Sequence, residues 1–300
     1  MEDAMSVDAA LKAAHQYINS DDIDIAGKFK EAVYIDGQLA ADAFYMTPSD
    51  FGPDDPFPPL KLPFNSCVIA YTMEKQVVHG ELQYAIIPAT YVSVISSSVS
   101  PVDKRYTRLF FQNFQYIGYT NPDAPYGLVN WGGVIEDIDE NGERIRDAKN
   151  IYLVPDKLRK IFNSFENTNG EDINTVVNSV SAPAAYVIAV MNTSNVVLND
   201  KPFTRQQRRS HGFNMTIKRL TVMGSKKSRR QTSIVNEEIT PNHPGVARHI
   251  CRGHFRDYRQ GAGLFGRFHG IYWTPPIWKG SFTRGFVTKS YKVAVPKNNP

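Results

Sequence analysis

The sequence predicts an α+β protein: an antiparallel sheet with N-terminal and central helices and a basic C-terminal β region. Three observations carry that expectation. An amphipathic stripe at helical spacing opens the chain, segments rich in Val, Ile, Tyr and Phe fill the stretch before residue 150, and Ala184–Met191 is apolar on nearly every helical face. With 300 residues, 42% hydrophobic and 21% charged, the composition is that of a globular chain able to bury a core without disulfide or metal staples.

Ser6 is an N-cap residue by type, and Val7, Leu11, Ala14 and Ile18 form one stripe of a helix expected over Val7–Asn19. A second short helix is expected over Ile25–Ala32. Between Thr47 and Pro63 six prolines exclude helix and central strand, leaving an extended loop. Strands are expected at Ser66–Met73, Leu82–Ile87, Tyr91–Ser97 and Arg105–Tyr119, followed by a hairpin that turns on Asn141-Gly142. Pro155 opens a helix to about Phe165. Glu171–Asn195 reads as a buried central helix, kinked or restarted at Pro183. Further strands are expected over Phe213–Val222, Arg248–Tyr258, Ile271–Thr274 and Gly285–Val295. The organisation is an acidic portion, 1–150, a helical middle, 151–200, and a basic module, 201–300, packed as one assembly.

The two cysteines, Cys67 and Cys251, are far apart and form no C-x-x-C pair, which argues for half-buried thiols in a reducing compartment. The start of the chain is acidic and lacks the apolar run of a signal peptide. The longest apolar stretch, Ala182–Met191, is about half a bilayer span. The expectation is a cytoplasmic protein with no membrane role.

Charge is the most informative feature. The chain holds 34 Lys or Arg and 30 Asp or Glu, but residues 201–300 hold twenty of the cations and three acids, Glu237, Glu238 and Asp257. That leaves +17 on the last third and −13 on the rest. Beyond Asp257 no acidic side chain occurs. Such a split speaks to partners and fields rather than to fold. Arg205, Arg208, Arg209, Lys218, Arg219, Lys226, Lys227, Arg229, Arg230, Arg248, Arg259 and Arg267 are the candidate nucleic-acid contacts. The competing reading is that the acidic part packs against the basic part and neutralises it.

Residues 249–258 read His-Ile-Cys-Arg-Gly-His-Phe-Arg-Asp-Tyr. In an extended strand alternate side chains share a face. Arg252, His254, Arg256 and Tyr258 would then form a polar face, and Cys251, Gly253 and Phe255 a core side, while Gly253 leaves room for a bulge that would spoil this alternation. Guanidiniums suit phosphate oxygens, imidazole exchanges protons near neutrality, and a phenol stacks or donates. The set is compatible with structural hydrogen bonding, with binding alone, or with a metal-independent ribonuclease centred on His254, with Arg252, Arg256 and Tyr258 in support.

This segment, H-I-x-R-G-H-aromatic-x-x-Y-x-x-G over His249–Gly261, resembles a C-terminal motif of uncharacterised phage and prophage proteins. It is also similar to the C-terminal motif of a type V-A anti-CRISPR protein, from which Cys251 and Arg256 depart. The phage resemblance takes in Tyr272–Gly280 and the final strand, Val287–Val293. It implies a phage-encoded regulator or inhibitor of host defence or gene expression, acting in the host cytoplasm. The anti-CRISPR resemblance implies binding of a nascent peptide of a target nuclease and loss of its message. RNA, the ribosome or a host defence complex are the partners so implied.

Other patterns fail on context. Gly261-Ala-Gly263-Leu-Phe-Gly266 spells a dinucleotide fingerprint, but no helix follows and no acid stands about twenty residues on. His243, His249, Cys251, His254 and His269 match no zinc spacing, and the carboxylates of a two-metal nuclease are missing from this end. No metal and no cofactor are expected. Phe255, Tyr258, Phe265, Phe268, Tyr272, Trp273, Trp278 and Phe282 interleave with the cations, as base-stacking residues or as core; Trp273 and Trp278 read as core. A purely protein-binding inhibitor, docking its basic face on an acidic partner, is the third functional reading.

Overall fold

A computed structural model describes residues 6–19, 23–46, 58–79, 83–120, 124–145, 151–156, 159–160, 173–201, 216–223, 247–251, 253–279 and 281–286. Ser6 has extended backbone, and its Oγ accepts from the Ala9 amide at 3.2 Å, so helix α1, Val7–Gln16, starts at the cap its sequence announces. Ala10, Leu11, Ala13 and Ala14 form its buried stripe, and a 3-10 turn, Tyr17–Asn19, extends it. Helix α2 is Ile23–Glu31. Two elements then appear that the sequence reading missed, strand β1, Val33–Asp36, and helix α3, Gln38–Met46.

Strand β2 is Ser66–His79, β3 Gln83–Val99, β4 Thr107–Tyr116, β5 Leu128–Ile138 and β6 Ile151–Leu153. The two strands expected at Leu82–Ile87 and Tyr91–Ser97 are one strand, β3, running through Pro88. The β4 ladder on β3 begins at Thr90, so Pro88 stands where a missing N–H costs no bond on that side. After β5 the chain turns on Asn141-Gly142. The Asp139 amide donates to the Glu143 carbonyl at 2.9 Å, and Asp139 Oδ1 accepts from the Asn141 and Glu143 amides at 2.8 Å each.

Helix α4, Ile173–Met191, buries Ala184 through Val190 without a break. It passes through Pro183, and a buried polar chain supports it there. Tyr71 Oη donates to the Val180 carbonyl, Ser181 Oγ to the Val177 carbonyl at 2.9 Å, and Asn113 Nδ2 to Ser181 Oγ at 2.8 Å. The helix stops short of the expected Asn195, because Val196–Asp200 is strand β7. The expected helix over Pro155–Phe165 lies largely outside the described residues.

The described residues include an eight-stranded sheet in the order β6-β5-β4-β3-β2-β1-β8-β7, where β8 is Ile217–Val222. From β2 to β6 it is an antiparallel meander. The expected antiparallel sheet is nevertheless mixed: β1 pairs in parallel with both β2 and β8. The physical reason is the connection, since α3 between β1 and β2 supplies the crossover that a parallel pair needs. Part of the basic third, β8, thus belongs to the main sheet.

Alternation along the strands divides the core. Val68, Ala70, Val92, Val94 and Phe114 pack with Leu11 and Phe29 of α1 and α2. On the opposite face Ile69, Tyr71, Tyr91, Ile95, Leu109 and Phe111 pack with Ala40 and Ala41 of α3 and with α4. Among the described residues no helix is long and apolar enough to cross a membrane.

The remaining strands are β9, Ala247–Cys251, β10, His254–Asp257, β11, Ile271–Thr274, β12, Ile277–Lys279, and β13, Ser281–Phe286. Phe255, Ile271 and Trp273 join the core on the α4 face. The strand expected over Gly285–Val295 lies mostly outside the described residues.

Candidate nucleic-acid interface

The motif His249–Gly261 falls on β9, β10 and the loop that follows. The expectation of one strand over Arg248–Tyr258 is corrected to two. The cause lies across the ladder: Cys251 pairs with Ile277 and His254 with Thr274, so Pro275 and Pro276 face the gap. Neither proline has an N–H to give, and the ladder breaks there. Gly253 makes the close approach possible, since a Cβ at that position would stand 2.9 Å from Pro276 Cδ.

The register is the same on both sides of the break, so the alternation survives it. Phe255 is buried, His254 and Tyr258 are half-buried, and Arg256 is exposed. Arg256 Nε donates to His254 Nε2 at 2.9 Å, which engages the imidazole lone pair with a guanidinium. The Tyr258 ring lies edge-on to Tyr272, centroids 5.9 Å apart. Arg252, the fourth member of the expected face, lies outside the described residues.

Strands β10 and β11 form a hairpin whose base is closed by the Tyr258 amide on the Gly270 carbonyl at 2.8 Å. Gly270, at φ 137°, passes so close to the loop after α4 that a Cβ there would collide with Ser194 Oγ. Asn195 completes the attachment: its Nδ2 donates to the Trp273 carbonyl at 2.7 Å and its Oδ1 accepts from the Trp273 amide at 2.9 Å. One end of the hairpin is thereby fixed to the body.

Its other end is cationic and aromatic. Arg259 reaches back to Asp257, Nε to Oδ1 at 3.1 Å and Nη2 to Oδ2 at 2.7 Å. Those hydrogen bonds hold the Asp257 carboxyl below its ordinary range. Arg267 is exposed near the tip. The Gly261–Gly266 fingerprint lies in this loop, with β11 rather than a helix after it, so the dinucleotide geometry is absent.

Lys218 and Arg219, two of the candidate nucleic-acid contacts, stand in the main sheet on β8. Lys218 is paired with Asp200, and Arg219 Nε lies 3.7 Å from Asp36 Oδ2. Nearby, Lys201 Nζ bridges Asp8 Oδ1 at 2.6 Å and buried Asp36 Oδ2 at 3.1 Å. The acidic N-terminal part and the basic third therefore do meet at these ion pairs. No charge pattern marked Asp8, Asp36 and Lys201 in advance, because the three are brought together from α1, β1 and the end of β7.

Arg248 lies in β9, opposite Phe286 of β13. Arg205, Arg208, Arg209, Lys226, Lys227, Arg229 and Arg230 fall outside the described residues. Among the described residues no three His, Cys, Asp or Glu side chains gather as a metal site.

Of the aromatic set, Tyr258 and Tyr272 are half-buried, and the side chains of Trp278 and Phe282 lie outside the described residues. Phe255 and Trp273 are core, as expected of Trp273, whereas Phe265 and Phe268 project into solvent. No protein-family model matches the chain, and no curated protein does either. Charge and geometry are what remain to speak for function.

Proposed function

We propose that this chain is an RNA-binding regulator or inhibitor, acting on RNA or an RNA-containing complex such as the ribosome or a host defence assembly. Phage origin is part of the proposal and rests on the His249–Gly261 motif. The observation that supports RNA binding best is the β10–β11 hairpin. It presents Arg256, Arg259 and Arg267 at exposed positions, and Asp257 is the last carboxylate side chain in the sequence. Guanidiniums grip phosphate oxygens in pairs and are only weakly hydrated, so a surface of this kind attracts polyanions. The net charge of +17 over residues 201–300 favours the same class of partner.

Binding without bond cleavage is favoured over the ribonuclease reading by the His254–Arg256 contact. A general base needs its lone pair for the 2′-hydroxyl proton, and here Arg256 engages it.

Salt dependence tests the proposal. Affinity for single-stranded RNA should fall with a log–log slope of about −0.7 per phosphate contacted. Replacing Arg256, Arg259 and Arg267 together by Gln should flatten the slope by about two units, and removing Lys226, Lys227, Arg229 and Arg230 by about three. A purified chain that carries no RNA, by its 260/280 absorbance ratio, and binds none at low salt would overturn the reading.

A further inference from the structure

The outermost part of the hairpin, Leu264–Phe268, has a construction that charge alone does not explain. Phe265 is 85% exposed and Phe268 54%, and Phe265 is the most exposed large hydrophobic side chain among the described residues. An exposed phenyl on a loose loop would be unremarkable, but this loop is closed on itself. The Leu264 amide donates to the Phe268 carbonyl at 2.8 Å, and the Phe268 and Arg267 amides donate to the Leu264 carbonyl at 3.1 and 3.2 Å. Phe265 sits at the apex with φ 53°, a left-handed conformation that a bulky residue adopts only at a cost in strain. The stem is held by the core through Phe255, Ile271 and Trp273. A core-held stem thus carries a loop of thirteen residues, Tyr258–Gly270, that ends in a closed tip with an outward ring and contains no carboxylate.

We infer that Leu264–Phe268 is a stacking finger for single-stranded RNA, with Phe265 the residue that meets a base face and Arg267 the cation beside it. This rests on the RNA-binding reading above and specifies how the site would engage its ligand. Every base has a π-face, so an aromatic platform with an adjacent guanidinium binds single strands with little regard to sequence. Duplex RNA offers no such face, because its bases are already stacked and its major groove is too narrow for side chains. Closing the backbone beneath the ring beforehand reduces the ordering cost of binding. A membrane-inserting tip is the other chemistry an exposed Phe pair suggests. Arg267 argues against it, since it lies between Phe265 and Phe268 in the closed loop and would have to enter the apolar layer with them.

The test is fluorescence anisotropy with a short labelled single-stranded RNA of mixed sequence, an abasic oligonucleotide of the same length, and the corresponding duplex. Phe265→Ala should melt at the wild-type temperature yet weaken single-strand binding about tenfold, with the salt slope unchanged. Phe265→Trp should restore affinity, and its added fluorescence should be quenched by the base-bearing strand but not by the abasic one. On the abasic strand wild type and Phe265→Ala should be equal.

If wild type binds RNA and Phe265→Ala binds it equally well, the finger is overturned while the RNA reading stands. An equal loss on both strands also overturns it, because the ring would then be meeting backbone. If wild type binds no RNA, both proposals fall. Capture of phosphatidylserine–phosphatidylcholine vesicles instead, lost in Phe265→Ala, would assign the tip to a lipid surface.

Discussion

The indole Nε1 of Trp273 donates a hydrogen bond to the hydroxyl of Tyr186 at 3.1 Å, with both side chains buried. Tyr186 lies in the middle of α4 and Trp273 on β11, so this contact seats the C-terminal hairpin on the central helix. The Phe255 ring packs on Tyr186 from β10, centroids 5.4 Å apart. A hairpin held at one end in this way can present its far end rigidly.

Trp273→Ala should therefore cost about 3–5 kcal/mol, the loss of a large fully buried ring. Tyr186→Phe keeps the packing and removes the acceptor, and should cost about 1–3 kcal/mol. Urea unfolding measures both. A cost under about 1 kcal/mol for Trp273→Ala would mean that the hairpin is not part of the cooperative core.

Neighbouring residues of the motif should behave oppositely. Phe255→Ala should cost about 3–5 kcal/mol, because its ring is buried against Tyr186. His254→Ala should stay within roughly ±0.5 kcal/mol and weaken RNA binding, because its side chain lies on the polar face with Arg256. Thermal melts and binding isotherms on the two variants decide the matter. An unfolded His254→Ala beside a benign Phe255→Ala would reverse the faces.

His15 gives stability a pH dependence of known sign. Burial lowers its pKa from 6.5, its Nδ1 is buried without a hydrogen-bond partner, and its ring meets Tyr34 edge-on at 5.5 Å. The unfolded chain then binds the proton more readily than the folded one. Stability is complete above about 6.5, declines as pH falls through that value, and levels off below the folded pKa. Urea midpoints measured downward from pH 7.5 should show this decline, and His15→Gln should reduce it. A wild-type midpoint that rose on acidification through this window would refute the assignment.

The two thiols should react at different rates. Cys67 is fully buried in β2, and burial pushes its pKa up to about 12, whereas Cys251 is half-buried in β9. In native protein at about pH 8 a disulfide reagent should modify Cys251 first and Cys67 only as fast as the core opens. Cys251→Ser should leave no fast thiol. Rapid modification of both would mean that the sheet breathes at β2.

Local features were legible in the sequence. Ser6 announced α1, Asn141-Gly142 announced its turn, and the wholly apolar Ala184–Val190 run announced a buried helix. The opposition of His254 and Phe255 was legible too, because side chains alternate along an extended chain whatever it pairs with. Strand β1 was not. Four residues carry no period, and Val33–Asp36 is a strand only because β2 and β8 flank it. Gly253 marked room for an irregularity, but the cause of the break, Pro275 and Pro276, stands across the ladder and was hidden.

Order along the chain was enough to fix where charge accumulates and to set His254 and Phe255 on opposite faces. Which cations meet carboxylates distant in sequence, as Lys201 meets Asp8 and Asp36, and Arg219 meets Asp36, was left to the tertiary structure. It alone separated Trp273 from Phe265, two aromatics eight residues apart in the same basic stretch. Trp273 is core because Tyr186, 87 residues away in sequence, supplies both its acceptor and its packing, and Phe265 is exposed because its loop closes on itself beyond the reach of that helix. Burial belongs to pairs of segments, and composition cannot record it.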